Sequence, residues 1–288
     1  MNKKNKVLLG AIGLVLLSGI AATSSTFAWF TTVRTASISY SEATVQSSDG
    51  DLTIEYVRSL NIWSGGSTYD EAANKVTIAG ANKVTDISGD GKTFYKPVWT
   101  TPVSTASSIE TVPTTGDPGV AVADGFFIDF TVRLSRDNDV DENGLKVYLG
   151  TGTTIAPNNP SNPKDTGAVK AARLAVIDHE ENVKVRWAPE EEAGAKYITT
   201  GTDTDSLYGV SGFKTTTDKD YKHGEITSAE SMDDADEAGF LVADLSKGVA
   251  NEANVTFRIW LEGEDEHCNN DILGGVFDVN IALYTFVN

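Results

Sequence analysis

The chain has 288 residues, with 41 acidic against 23 basic side chains and a formal net charge of −18 at pH 7. A polyanion of this kind repels nucleic acid and anionic lipid, so neither is an expected partner. One cysteine, Cys268, leaves no internal disulfide, and the core must hold without covalent staples.

At the N-terminus Lys3, Lys4 and Lys6 precede an uncharged apolar run from Val7 to Ala22. Thr26 and Ala28 then place small residues at the −3 and −1 positions before Trp29. That order predicts a secretory signal over 1–28, cut by a signal peptidase between Ala28 and Trp29. The apolar run is about 16 residues, short of the roughly 20 that span a bilayer, so no stable membrane span is expected after cleavage. The remainder, 29–288, is expected as one domain that is secreted, extracellular or on the cell surface.

Beyond the signal the apolar residues recur with a period of two. Leu52, Ile54 and Tyr56 open the series, followed by Phe126, Ile128, Phe130, Val132 and Leu134, with Asp129, Thr131 and Arg133 on the other face. Leu145, Val147 and Leu149 come next. Val255, Phe257, Ile259 and Leu261, then Phe277, Val279, Ile281 and Leu283, complete it. Each run reads as a strand with one buried and one wet face. Together they predict an all-β fold, an antiparallel β-sandwich of jelly-roll type with long loops. Asp49-Gly50 reads as a tight hairpin between 44–47 and 51–57, and 179–182 as a second hairpin. The Pro-, Thr- and Gly-rich stretches 102–124 and 156–166 read as loops. Residues 199–236 read as a polar insertion carrying a short helix near 228–238. The chain closes without a sorting motif, so wall anchoring at that end is not expected.

Few motifs suggest chemistry. Asp139, Asp141 and Asn143, followed by Gly144, match the opening of a calcium loop, because alternate oxygen side chains surround a cation and glycine permits the turn. The closing glutamate is missing, since position twelve is Gly150. Asp86 to Gly91 is a looser version. Calcium is therefore the one cofactor the sequence suggests, against the plain alternative of solvated acidic loops. The run from Glu262 to Cys268 brings carboxylates, His267 and a thiol together, but adjacent His267 and Cys268 are poorly placed as two zinc ligands. A thiol nucleophile would need a base from the distant His179 or His223. The run reads as an acidic loop between core strands. No zinc-protease, nucleophile-elbow or phosphate-loop motif occurs, and the chain is not expected to be an enzyme. The five tryptophans, Trp29, Trp63, Trp99, Trp187 and Trp260, read as core or interface residues rather than a glycan platform.

Three stretches resemble a known group. The segment from Gly19 to Phe30, with Thr26-Phe27-Ala28 before Trp29, is similar to the cleavage region of exported proteins of the TasA/camelysin (CalY) family, processed by a SipW-type signal peptidase. Asp86–Pro97 and Phe257–Cys268 resemble stretches of exported proteins with the same signal. The resemblance implies a jelly-roll fold and a biofilm-fibre or other extracellular-matrix function, in which the new N-terminal segment adds as a strand to a neighbouring subunit. Here that segment is about Trp29 to Tyr40, with Phe30, Val33, Ala36, Ile38 and Tyr40 as candidate donor residues. The implied partners are further copies of the chain or related matrix proteins. Two alternatives stay open: a surface adhesin or carbohydrate-binding module of the same fold, and a camelysin-like metalloprotease.

Overall fold

The computed structural model describes residues 35–47, 52–60, 67–70, 75–99, 106–112, 114, 126–136, 144–190, 195–201, 208, 210–217, 220–246 and 251–287. In chain order they form β1 (Thr35–Ser47), β2 (Leu52–Leu60), β3 (Ser67–Asp70), β4 (Lys75–Gly89), β5 (Phe94–Trp99), β6 (Ala106–Val112), β7 (Phe127–Arg136), β8 (Gly144–Leu149) and β9 (Thr154–Pro157). Helix α1 (Pro163–Ala171) leads into β10 (Ala172–Ile177), β11 (Val183–Ala188), β12 (Lys196–Thr200), β13 (Phe213–Thr217) and β14 (Tyr221–His223). Helix α2 (Met232–Ala238), β15 (Leu241–Ser246), β16 (Glu252–Glu262), a 3-10 turn (Asn270–Ile272) and β17 (Val276–Val287) complete the order. The fold is all-β. Among the described residues no helix is long and apolar enough to cross a membrane.

The strands fall into two groups joined by β4. In one, β4 pairs antiparallel with β1 (Ala36 opposite Val84), and β1 pairs parallel with β17 (Ile38 opposite Phe277). β17 continues antiparallel to β8 and β9, and β8 pairs with β15. In the other, β10 lies between β11 and β16, and β16 pairs with β7, which pairs with β2. The last residues of β4 cross over, placing Asp86 and Ile87 parallel to Leu261 and Glu262 of β16.

Apolar residues of both groups meet in one core. Ile128, Phe130 and Leu134 of β7, Phe257 and Ile259 of β16, Leu145 and Val147 of β8, and Phe277, Val279, Ile281 and Leu283 of β17 all pack there. Fully burying one such side chain is worth about 1.5–3 kcal/mol, which makes this the main source of stability. The period-two runs read from the sequence supply most of it.

The expected wet face is not wet. Phe127, Asp129 and Thr131 of β7 are buried on the far side of that strand, as are Arg258 and Trp260 of β16. The reason is a third layer: β5 and β6 fold back over this face, and Ile87, Phe94, Val112, Phe127, Ala175 and Trp260 form a second core. Trp260 meets Phe94 edge-on at 5.0 Å. Trp187 is also buried, its Nε1 donating to the Gly224 carbonyl at 2.8 Å. Two tryptophans are thus core residues; Trp29 and Trp63 lie outside the described residues.

Other expectations need correction. Asp49-Gly50 lies outside the described residues, and the strands on either side of it are paired elsewhere: β1 with β4 and β17, and β2 with β7 in the other group. The stretch 102–124 contains β6, and 156–166 contains the end of β9 and the start of α1. Helix α1 is set by its Asn162 cap, whose Oδ1 accepts from Lys164 N at 3.1 Å, and by proline at its first position. The hairpin at 179–182 is present between β10 and β11. Its turn is held by Asp178, whose Oδ1 accepts from the Glu180 and Asn182 amides. The polar region 199–236 contains β13, β14 and α2, with β12 and β13 paired as a separate ribbon.

Candidate functional site

Two features stand out for function: the position of β1, and a charged cluster in the connection from β16 to β17.

Of the candidate donor residues, Ala36, Ile38 and Tyr40 lie in β1; Phe30 and Val33, like Ala28 and Trp29 at the expected cleavage point, lie outside the described residues. Ile38 is opposite Asn82 on one side and Phe277 on the other, and Tyr40 is opposite Ile78 and Val279. β1 therefore occupies a slot between β4 and β17. Its sequence neighbour β2 belongs to the other strand group.

The calcium-loop residues Asp139, Asp141 and Asn143 also lie outside the described residues. The looser copy at 86–91 does not form a cation loop. Asp86 is a strand residue of β4, and the Ser88 hydroxyl is buried and accepts from Ile198 N at 2.9 Å. Asp90 Oδ1 is taken by the Lys92 and Thr93 amides in the turn to β5.

The Glu262–Cys268 run, read as an acidic loop between core strands, does connect β16 to β17, but most of its side chains are not exposed. Glu262, Glu264, Asp265 and Cys268 are all buried. Cys268 packs in the main core, which removes its thiol from the nucleophile and ligand roles considered above. Asp265 organises the turn: its carbonyl accepts from Cys268 N at 2.9 Å and its Oδ1 from His267 N at 2.9 Å. Gly263 is required there, because a Cβ would collide with the Tyr208 hydroxyl.

Four elements bring charges to this turn. Lys170 comes from the last turn of α1, Arg173 from β10, Glu190 from the residues after β11, and Asp265 and His267 from the turn itself. His267 Nδ1 lies 3.0 Å from Asp265 Oδ1 and 3.6 Å from Glu190 Oε2. The other oxygen of each carboxylate is held by a cation. Lys170 Nζ is 3.0 Å from Glu190 Oε1, and the buried Arg173 guanidinium is bonded to Asp265 Oδ2. Lys170 Nζ also approaches His267 Nε2 at 3.4 Å. Burial is the largest single influence on Arg173 and opposes its charge, but Asp265, Tyr221 and Glu262 together outweigh it and hold the guanidinium above its ordinary range. His223, on β14, is pushed below its ordinary value by burial and by Arg173.

Glu262 sits beneath this cluster. Its Oε2 accepts from Gly89 N and Trp260 Nε1, each at 3.2 Å, and its Oε1 from Glu264 N at 3.1 Å. Burial nonetheless pushes the carboxyl up to about 8.

Comparison with protein-family models, with curated proteins and with solved structures finds no match. The arrangement itself is therefore what bears on function. Chemically it is a network of ion pairs that fixes the β16–β17 turn against α1 and the end of β11. Glu190, Asp265 and His267 also bring three ligand-type atoms within 4.8 Å of one another. Sequence reasoning located Asp265 and His267 but not Lys170, Arg173 or Glu190, which lie 77 to 97 positions away from their partners in the turn. Nothing in the spacing of those three residues marks them out.

Proposed function

We propose that the chain is an exported structural subunit of an extracellular matrix or filament, of the TasA/camelysin type, with a jelly-roll sandwich that joins its neighbours by strand addition. The observation that supports this reading most is the place of β1. It is bounded on both sides, by β4 antiparallel and β17 parallel, yet its chain neighbour β2 belongs to the other group. Withdrawing β1 would leave two unpaired backbone edges facing a strand-wide gap, which a strand of identical sequence from a second copy satisfies equally well. Repeated head to tail, such an exchange gives an open polymer rather than a closed ring unless the rotation closes. The N-terminal signal pattern suits the same setting.

The test is complementation. A chain that begins after Ser47 is expected to be unstable alone and to regain a cooperative melt when a synthetic 29–47 peptide is added. The intact cleaved form is expected to assemble, with concentration, into fibres visible by electron microscopy. A chain that stays monomeric at every concentration and salt, and whose truncated form melts as the intact one does, would refute the proposal. Glycan binding by that monomer would instead favour the adhesin reading.

A further inference from the structure

From the geometry of the β16–β17 turn, we infer that Glu190, Asp265 and His267 form a binding site for one divalent transition ion, with zinc the best chemical match. This does not depend on strand exchange, and it is a structural clamp rather than a reaction centre.

One imidazole and two carboxylates, with water completing the shell, is a donor set suited to zinc and its neighbours in the first transition row. At the usual bond lengths of about 2.0–2.2 Å, ligand atoms around a tetrahedral ion lie roughly 3.3 Å apart. The separations of 3.0 and 3.6 Å from His267 Nδ1 lie on either side of that value, and all three ligand atoms are within 4.8 Å of one another. Asp265 Oδ1, which also accepts from His267 N, and Glu190 Oε2 are the oxygens turned toward the ring, and the other oxygen of each is held by Arg173 or Lys170. Outer contacts of this kind orient ligands in metal sites. The Asp265 side chain is nearly buried, while those of Glu190 and His267 are 23% and 27% exposed, so solvent reaches the cluster from their side. Glu190, Glu264, Asp265 and Glu266 give the neighbourhood four acidic groups against Lys170 and Arg173.

Lys170 is the competitor. A metal on Nδ1 leaves the ring proton on Nε2, which faces the Lys170 ammonium at 3.4 Å. The ammonium must then turn away, and because this lysine side chain is 44% exposed it has room to do so.

The experiment is a titration of the chelator-treated, dialysed chain with Co2+, followed by visible absorption, and with Zn2+, followed by calorimetry and thermal melting. The expected result is one equivalent bound, with the absorption of a low-coordinate cobalt site and a higher melting temperature at saturation. His267→Ala and Glu190→Gln should each weaken binding by about 10–100-fold. Circular dichroism of each variant separates lost binding from lost fold. The inference is overturned if neither ion binds at one equivalent below millimolar concentration. It is equally overturned if binding survives unchanged in a folded His267→Ala or Glu190→Gln variant, which would make the cluster an ion-pair network alone.

Discussion

Arg258 shows what a single residue does in this molecule. It lies on what the alternation marks as the outer face of β16, where a solvated arginine would be ordinary. Instead its Nε and terminal nitrogen both donate to Asp129 at 2.7 Å, and it also donates to the Gly91 carbonyl at 2.9 Å and the Thr114 carbonyl at 3.3 Å. The guanidinium stacks 4.5 Å from the centre of the Phe127 ring. One side chain thus ties the segments flanking β5 and β6 to the sheet beneath. Asp129→Ala strands the cation in the interior and is expected to cost about 3–5 kcal/mol in denaturant unfolding. Replacing both partners by apolar residues of similar volume is expected to recover most of that loss, since the interior then holds no unpaired charge. The pair was not legible in the sequence, because Asp129 and Arg258 are 129 positions apart and each, read alone, has the pattern of a surface residue.

At the scale of elements, α1 depends on a carboxylate from its own first turn. Asp165 is buried, its Oδ1 accepting from Val276 N at 3.0 Å and Asn162 Nδ2 at 2.8 Å, and its Oδ2 accepting from Asn159 N at 3.0 Å. It therefore connects the cap of α1 to the first residue of β17. Asp165→Ala leaves buried donors without acceptors and should cost about 2–4 kcal/mol. The Val276 and Asn159 amides should then exchange with solvent well before global unfolding, as hydrogen-exchange mass spectrometry or NMR would detect. Asp165→Asn keeps one acceptor oxygen and should fall between the two. The strands themselves were the most legible part of the fold. β7, β16 and β17 show strict alternation because one face of each meets the main core. What the alternation could not reveal was the cover over the second face, since Val112 lies in the stretch 102–124 whose composition reads as loop, and Phe94 belongs to none of the alternating runs. Pairing was equally hidden: a good turn signal at Asp49-Gly50 joins strands that enter different groups. Of the charged cluster, the turn was visible as a dense acidic run, but its partners come from α1, β10 and the end of β11.

For the whole molecule, the buried Glu262 couples stability to pH. Its carboxyl titrates near 8 in the folded chain, raised by burial above its ordinary 4.5. Between those values the unfolded chain has released this proton and the folded chain still holds it. Folding stability should therefore decline as pH rises from about 4.5 to about 8 and level off above, by at most about 1.4 kcal/mol for each pH unit. Glu262→Gln keeps the shape without the titration, so its melting temperature should be flatter across the interval and the variant should overtake the wild type at alkaline pH. A parallel decline in both proteins would assign the pH dependence to other groups.

The parallel alignment of β1 with β17 has a mechanical corollary. The first residue of β1 and the last of β17 lie at opposite ends of the pair, whose register runs from Ser37 and Val276 to Ser47 and Thr285. Tension applied through those two ends acts along the strands, so the backbone bonds between them are loaded together in shear instead of opening one after another like a zip. Rupture then requires many bonds to fail at once.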